Sequence, residues 1–275
     1  MINVFIGRDR AEDIAWHVLA HSLVRRSSEP LALTAIGNST LPKKVWWRER
    51  GPHDSTEFSN ARFAIPALMG YRGWAIFMDC DMVCDADIAE LWEQRDERYA
   101  VMVVKHDYRP KTDTKFLGQE QSRYARKNWS SLMLINCGHS SCSELTPDYI
   151  NVASGLDLHR FDWCWDEEVG SISGLWNVLV TEGGRLEHPE PMPEDCDIKL
   201  LHYTVGGLWH GYGNRADAWM PEFSSLLAGS NPCADLVAEY GNGLSFAGAY
   251  KVRNEAKANL GSKANGQGHA ATRPN

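Results

Sequence analysis

The sequence predicts a single large α/β domain, and three features support that prediction. Short apolar runs alternate with helical patterns from the first residues onward, and one continuous apolar run lies in the first third of the chain. The length of 275 residues is sufficient for one sizeable buried core. With 43% hydrophobic and 23% charged residues, the composition is that of an ordinary globular enzyme.

The first 36 residues predict a βαβ unit. Residues 2–6 and 31–36 are apolar runs typical of strands, and between them Ile14 and Val18 lie on one face of a helix. A strand, a helix and a strand in this order imply a right-handed crossover and a parallel pair.

The helix predicted after Phe58 contains a proline. Ala61, Ile65 and Leu68 have helical spacing, but Pro66 lies among them. A proline inside a helix costs about 3 kcal/mol. Either a kinked helix or a helix that restarts near Pro66 would resolve the conflict, and the sequence does not decide between them.

A pair of aspartates follows the most apolar strand of the chain. Residues 74–78 form a continuous apolar run that predicts a buried central strand, and Asp79-Cys80-Asp81 comes directly after it. Open α/β sheets bind their ligands at the carboxyl ends of such strands. Two adjacent carboxylates repel each other unless a cation neutralises them, and Mg²⁺ or Mn²⁺ takes oxygen ligands and bridges to a diphosphate. The sequence therefore predicts a divalent metal site here.

The rest of the chain continues the pattern of helices and strands. We predict a helix capped by Asp85 or Asp87, a helix starting at Thr146, strands over 99–104, 130–135 and 198–203, and a loop over 187–195. The domain is expected to span residues 1–250, and residues 251–275, which lack apolar content, are expected to be a disordered tail.

Charge and cysteine usage restrict the class of protein. A net charge of −8 without a basic stripe argues against a nucleic-acid partner. The seven cysteines form no CxxC pair and are expected to be reduced thiols. The start of the chain lacks a secretory apolar region, and no apolar run has the length of a transmembrane segment. We therefore predict a cytoplasmic protein.

The stretch FSNARFAIPALMGYRGWAIFMDCDM, residues 58–82, resembles the donor-binding core of the family 8 glycosyltransferases and their close relatives. This resemblance implies a GT-A-type, Rossmann-like fold, in which helices flank a mixed sheet. It also implies that Arg62, at the family's spacing before Asp79, contacts the donor sugar, and that Asp79 and Asp81 bind the metal. Asp9, after the first strand, stands where the family contacts the nucleoside.

Later segments extend the resemblance to about residue 212. His202 in LHYTVGGLWH matches the histidine that completes the family's metal site, and Gly206 in the same segment is implied to take part in donor binding. Asn136 in SSLMLINCGH and Asp107 are implied to contact the donor sugar. Asp166 stands where the family has the first residue of Asp-Gln-Asp, and it is expected to help position that sugar.

The resemblance implies a retaining hexosyltransferase that uses a nucleotide-sugar, UDP-hexose above all, with Mn²⁺ or Mg²⁺. The acceptor, a glycan or another molecule, is not readable from the sequence. The sequence departs from the family pattern in two respects: Leu208 and Trp209 occupy the neighbourhood of a phosphate-binding lysine, and Glu167 replaces a glutamine on the reacting face. A carboxylate there can act as a nucleophile or stabilise an oxocarbenium-like centre, which makes Glu167, together with Asp166 beside it, the predicted catalytic pair.

Two other functions are compatible with parts of the sequence. A haloacid-dehalogenase-like phosphatase also has Asp-x-Asp after an apolar strand, but that strand usually opens the fold, whereas a βαβ unit precedes it here. A carbohydrate-binding or scaffold protein could retain this fold without turnover. The presence of Asp79, Asp81 and His202 favours the enzyme.

Overall fold

The computed structural model describes residues 1–51, 54–107, 126–189 and 197–229. The predicted tail over 251–275, the end of the predicted domain and most of the predicted loop over 187–195 lie outside the described residues. Within the described part, the strands are β1 (Ile2–Gly7), β2 (Leu31–Ile36), β3 (Trp74–Met78), β4 (Met82–Cys84), β5 (Val101–Val103), β6 (Leu132–Asn136), β7 (Val169–Ser171), β8 (Val178–Val180), β9 (Leu186–Glu187) and β10 (Leu200–His202). The α-helices are α1 (Asp13–Arg26), α2 (Ile65–Leu68), α3 (Ile88–Trp92), α4 (Pro147–Val152), α5 (Gly155–His159) and α6 (Ala216–Gly229).

The described strands form two sheets. A six-stranded mixed sheet has the order β2-β1-β3-β6-β5-β7, and a four-stranded sheet has the order β4-β10-β8-β9. In the larger sheet β1 pairs in parallel with β2 and β3, while β6 runs antiparallel to β3 and β5. The predicted βαβ unit and the predicted mixed α/β sheet are therefore confirmed.

Strand direction decides which side chains can meet. Because β5 and β7 run in the same direction as β3, the carboxyl ends of β1, β3 and β5 lie at one end of the larger sheet, here called the carboxyl edge. β6 runs the other way, so it begins at the carboxyl edge and ends at the opposite edge. Any site built at the carboxyl edge uses the start of β6, not its end.

The proline conflict is resolved by a helix that restarts. A 3₁₀ turn over Ala61–Ala64 leads into α2, and Pro66 lies in the first turn of that helix. A proline there breaks no helical hydrogen bond, since the first N–H groups of a helix have no partner within it. The turn that follows has positive φ angles at Gly70 and Gly73, as their residue type allows.

Two short strands differ from the sequence-based expectation. β4 was not predicted, and Glu187 belongs to β9 rather than to a loop. Of the two predicted caps of α3, the structure selects Asp87, whose carboxylate accepts the Ala89 N–H. β4 matters for function because it pairs with β10.

The smaller sheet is covered by α1 and α6. Trp219 and Phe223 of α6 stack with their ring centroids 5.0 Å apart, and they belong to a second apolar cluster beside the main core. α6 was not predicted, because Pro221 interrupts its pattern and its stability depends on this packing. Among the described residues, the longest apolar helices fall short of what crossing a bilayer requires.

Candidate functional site

Asp79 and Asp81 lie at the carboxyl edge, where the chain leaves β3. The Asp79 N–H donates to the Ser131 carbonyl at 2.9 Å, so the start of β6 holds the backbone at this point. The side chains are largely shielded from solvent, with Asp79 17% and Asp81 16% exposed. The buried strand thus delivers both carboxylates to one partly enclosed place.

His202 joins the two aspartates through the pairing of β10 with β4. The antiparallel register sets His202 opposite Met82, and the Tyr203 N–H donates to the Asp81 carbonyl at 2.8 Å. The imidazole Nε2 therefore lies 3.4 Å from Asp81 Oδ1 and 3.9 Å from Asp79 Oδ2. The predicted third metal ligand is brought to the other two.

Arg62 contacts the cluster from the turn before α2. Its Nη1 lies 2.8 Å from Asp79 Oδ1 and donates to the Ser130 carbonyl at 2.6 Å, and its Nε donates to the Ser59 carbonyl at 2.9 Å. The guanidinium also lies over the Phe77 ring, 4.5 Å from its centroid. Several acceptors and one aromatic face hold this buried charge in a single position.

Burial and neighbouring charges alter the acidity of the cluster. Burial raises the pKa of Asp79 from 3.8 to about 7; Arg62 acts against this rise, and the Asp81 carboxylate adds to it. Burial alone would lower the pKa of His202, but the carboxylates of Asp81 and Asp79 raise it above its ordinary value. Asp79 and His202 therefore hold on to protons that a bound cation would displace.

The cluster fits a divalent metal ion. One ligand atom from each of Asp79, Asp81 and His202 can be chosen so that all lie within 4.8 Å of one another. Asp81 Oδ1 is buried and accepts no well-directed hydrogen bond from any described residue. Two carboxylates and an imidazole form a donor set that suits Mn²⁺ and, less well, Mg²⁺.

Glu12 lies next to this cluster and was not expected from the sequence. It is buried, with Oε2 accepting from Cys80 Sγ at 3.4 Å and Oε1 from Trp209 Nε1 at 3.4 Å. Burial raises its pKa, and His210, with Nε2 3.6 Å from Oε1, acts against that rise. No spacing pattern marks Glu12, since its burial results from residues about 70 and 200 positions further along the chain.

The end of β5 brings His106 and Asp107 to the carboxyl edge. His106 is buried, and its burial lowers the pKa of the imidazole to about 3, with a smaller effect from His202. The His106 carbonyl accepts from Trp129 Nε1 at 2.9 Å. Asp107 is exposed at the same edge, which is compatible with its predicted sugar contact.

Asp9 and Gly206 also lie near this edge. Asp9 follows β1, and its two oxygens accept the Ala11 N–H and the Glu57 N–H, each at 2.9 Å. The carboxylate therefore orders the loops at the end of β1. Gly206 follows β10 with φ +87°, a conformation that side-chain-bearing residues rarely adopt, and its N–H donates to the Tyr203 carbonyl.

The structure does not bring Asn136 to the cluster. Asn136 ends β6 and pairs with Trp74 at the start of β3, so it lies at the opposite edge of the sheet. Its Nδ2 donates to Glu97 there. The sugar contact implied by the family resemblance stays a prediction that this placement does not favour. The antiparallel β6 instead places Ser130 and Ser131 at the site.

Asp166 and Glu167 are also kept away from the cluster. Both residues precede β7, whose first residue, Val169, is level with Ala75 of β3. Ala75 lies roughly 13 Å before Asp79 along β3, and β7 is about three strand spacings from β3 across the sheet. Asp166 pairs with Arg126, and Glu167 is exposed. Their predicted roles stay untested, and this placement does not favour them.

Comparison with known proteins gives one sequence relative and several structural neighbours. No protein-family model matches the chain. Protein CDI of Arabidopsis thaliana is 47% identical over 226 residues, which cover 81% of this chain and 83% of that protein.

The solved structures that resemble the chain are GT-A-type glycosyltransferases. An active-site mutant of LgtC matches with a TM-score of 0.54 at 14% identity, covering 83% of this chain and 96% of LgtC. WbbM, described as a bifunctional glycosyltransferase, matches with 0.54 at 15% identity and 86% coverage, and the chain spans 51% of WbbM. GlyE of Streptococcus pneumoniae matches with 0.53 at 13% identity, covering 88% of this chain and 64% of GlyE. The chain thus has the GT-A fold.

Proposed function

The chain belongs to the family of Protein CDI from Arabidopsis thaliana, and we propose that it is a metal-dependent glycosyltransferase that uses a nucleotide-sugar donor. One observation supports this above all: Asp79, Asp81 and His202 converge at the carboxyl edge of a GT-A sheet. Ligands of open α/β sheets bind at that edge.

The residues of the cluster have separate roles in this proposal. Asp79, Asp81 and His202 hold a divalent cation, Mn²⁺ or Mg²⁺, which when bound would neutralise charge on the departing nucleoside diphosphate. Arg62 lowers the pKa of Asp79 against the effect of burial and orients its carboxylate, and it borders the place where the donor sugar would lie. The buried surroundings strengthen these electrostatic interactions.

The donor is assigned as UDP-hexose by the resemblance of residues 58–82 to the donor-binding core of family 8 glycosyltransferases. Asp9 lies at the end of β1, where the nucleoside would bind, and it would act by ordering the adjoining loops. Asp107 and Gly206 would border the sugar and the diphosphate. The transfer would retain the anomeric configuration, and the acceptor is a glycan or another hydroxyl-bearing molecule.

Calorimetry with UDP, with and without Mn²⁺, tests this proposal. We expect UDP to bind only when Mn²⁺ is present and Asp81→Asn to lose that binding. Asp81 is a better target than Asp79, because Asp79 neutralises the buried Arg62 and its loss would leave that charge unpaired.

Asp148→Ala, at an exposed carboxylate on α4, is the matched control and should bind as the wild type does. Binding of UDP by the wild type would justify a screen of hexose donors for transfer to glycan acceptors. If UDP did not bind in either condition, the proposal would be wrong. Phosphatase substrates and immobilised glycans would then separate the two alternative functions.

A further inference from the structure

We propose that Asn177 is a positioning residue that holds a proton on His202 Nδ1, so that the Nε2 lone pair is available to a cation. This inference rests on the proposed function, since it concerns the same metal site. It depends on a chain of hydrogen bonds that leads from a backbone carbonyl to the imidazole.

Asn177 reaches His202 from the neighbouring strand. It directly precedes β8, and β8 pairs in parallel with β10, with Leu179 opposite His202. The Asn177 side chain is completely buried. Its Oδ1 lies 3.0 Å from His202 Nδ1, and its Nδ2 lies 2.8 Å from Ser131 Oγ.

The direction of each hydrogen bond follows from the chemistry of the groups. The Asn128 carbonyl can only accept, so it takes the single hydroxyl proton of Ser131 at 2.7 Å. Ser131 Oγ must then accept, and the Asn177 atom that faces it must be the amide nitrogen. The Asn177 oxygen is left to face His202, and an amide oxygen can only accept. His202 Nδ1 therefore carries a hydrogen.

This arrangement opposes the effect of the neighbouring acid. Asp81 Oδ1, 3.4 Å from His202 Nε2, would by itself favour a proton on Nε2, and a protonated nitrogen cannot bind a metal. Asn177 favours the opposite tautomer. Ser131 also holds Asp79 through its carbonyl, so one short turn before β6 supports two of the three ligands.

Two variants and two measurements test the role of Asn177. Asn177→Leu removes both hydrogen bonds at similar volume, and Ser131→Ala removes only the hydroxyl that orients the amide. Nitrogen-15 NMR of the histidine rings, at a pH where imidazoles are neutral, reports which nitrogen carries the proton, and the His202 signals are assigned by their loss in His202→Gln. Titration with Mn²⁺ alone measures the affinity.

In the wild type we expect the proton on Nδ1, and in both variants a shift of the proton towards Nε2. Loss of an outer hydrogen-bond partner typically weakens metal binding about 10–100-fold, and we expect that range for Asn177→Leu. Asn151→Leu is the matched control, because Asn151 is a buried amide that donates to the Val45 and Pro147 carbonyls away from the site. It should leave both the tautomer and the Mn²⁺ affinity unchanged.

The outcomes separate this inference from the proposed function. A proton on Nε2 in the wild type would overturn the inference, as would wild-type Mn²⁺ affinity in folded Asn177→Leu and Ser131→Ala proteins. If the tautomer and the Mn²⁺ affinities follow the expectation while UDP does not bind, Asn177 positions His202 as inferred and the glycosyltransferase proposal fails.

Discussion

Arg62 Nη1 lies 2.8 Å from Asp79 Oδ1, so a buried guanidinium neutralises one of the acids that would hold the metal. The contact lowers the pKa of Asp79 against the effect of burial. It also places a fixed positive charge beside a site for a cation. Arg62 therefore helps to prepare the ligand and, at the same time, repels the ion that the ligand would bind.

Arg62→Met separates these two effects. Without the guanidinium, the pKa of Asp79 should rise further above about 7, and Mn²⁺ affinity at pH 7 should fall by about tenfold for each unit of that rise. At pH 9 the proton competes less for Asp79, and the variant lacks the guanidinium charge that repels the ion. The variant should therefore bind Mn²⁺ at least as tightly as the wild type at that pH. Calorimetric titrations at both pH values, with the exposed Arg98→Met as control, measure the change. An equal loss at both pH values would show that Arg62 acts only through folding.

The pH dependence of the wild type has a defined sign. The folded-state pKa of Asp79 is raised, so the contribution of this group to the stability of the metal-free protein is lost as the pH rises from 3.8 to about 7. Mn²⁺ displaces the proton and reverses that loss. We therefore expect Mn²⁺ to raise the melting temperature more at pH 8 than at pH 6. Thermal unfolding with Mn²⁺ and with chelator at both pH values checks this, and a pH-independent increase would contradict it.

Gly207 packs against the ring of Trp209. A Cβ added at this position would lie 2.2 Å from a ring atom, so Gly207→Ala must displace the indole that donates to Glu12. Overpacking of this kind costs about 1–3 kcal/mol of folding free energy. Gly213→Ala is the matched control, because a Cβ there meets nothing within 4 Å. Denaturant unfolding should show the loss only for Gly207→Ala, and equal midpoints for the two variants would refute the packing.

Two strands of the larger sheet were predictable from their apolar runs, although of the two only β3 is completely buried. Residues 31–36 and 74–78 were predicted with the bounds that the structure shows, because each is a clear apolar run. The direction of β6 was not predictable, since an apolar run reads the same in either direction. The resemblance implied that Asn136 contacts the donor sugar, whereas the antiparallel β6 places it at the edge opposite the metal cluster.

The sequence identified the three candidate metal ligands and Arg62, which the structure brings together. Asp79 and Asp81 follow a buried strand, and His202 was supplied by a family resemblance. Glu12 and Asn177 have no such signal, because each becomes important through burial against distant residues. Tertiary contacts of single polar residues are beyond what periodicity and spacing encode.

The position of Glu167 yields the last prediction. The sequence assigned it to the reacting face, whereas the register of β7 holds it away from Asp79 and leaves it exposed. Glu167→Gln should therefore change the turnover number by less than about twofold, since exposed substitutions away from a site have small effects. Steady-state kinetics, once a donor is known, test this against Asp81→Asn, which should be inactive. A large fall in turnover number at unchanged KM would show that residues 166–168 move to the cluster when donor binds, because only a group acting in the transition state gives that signature.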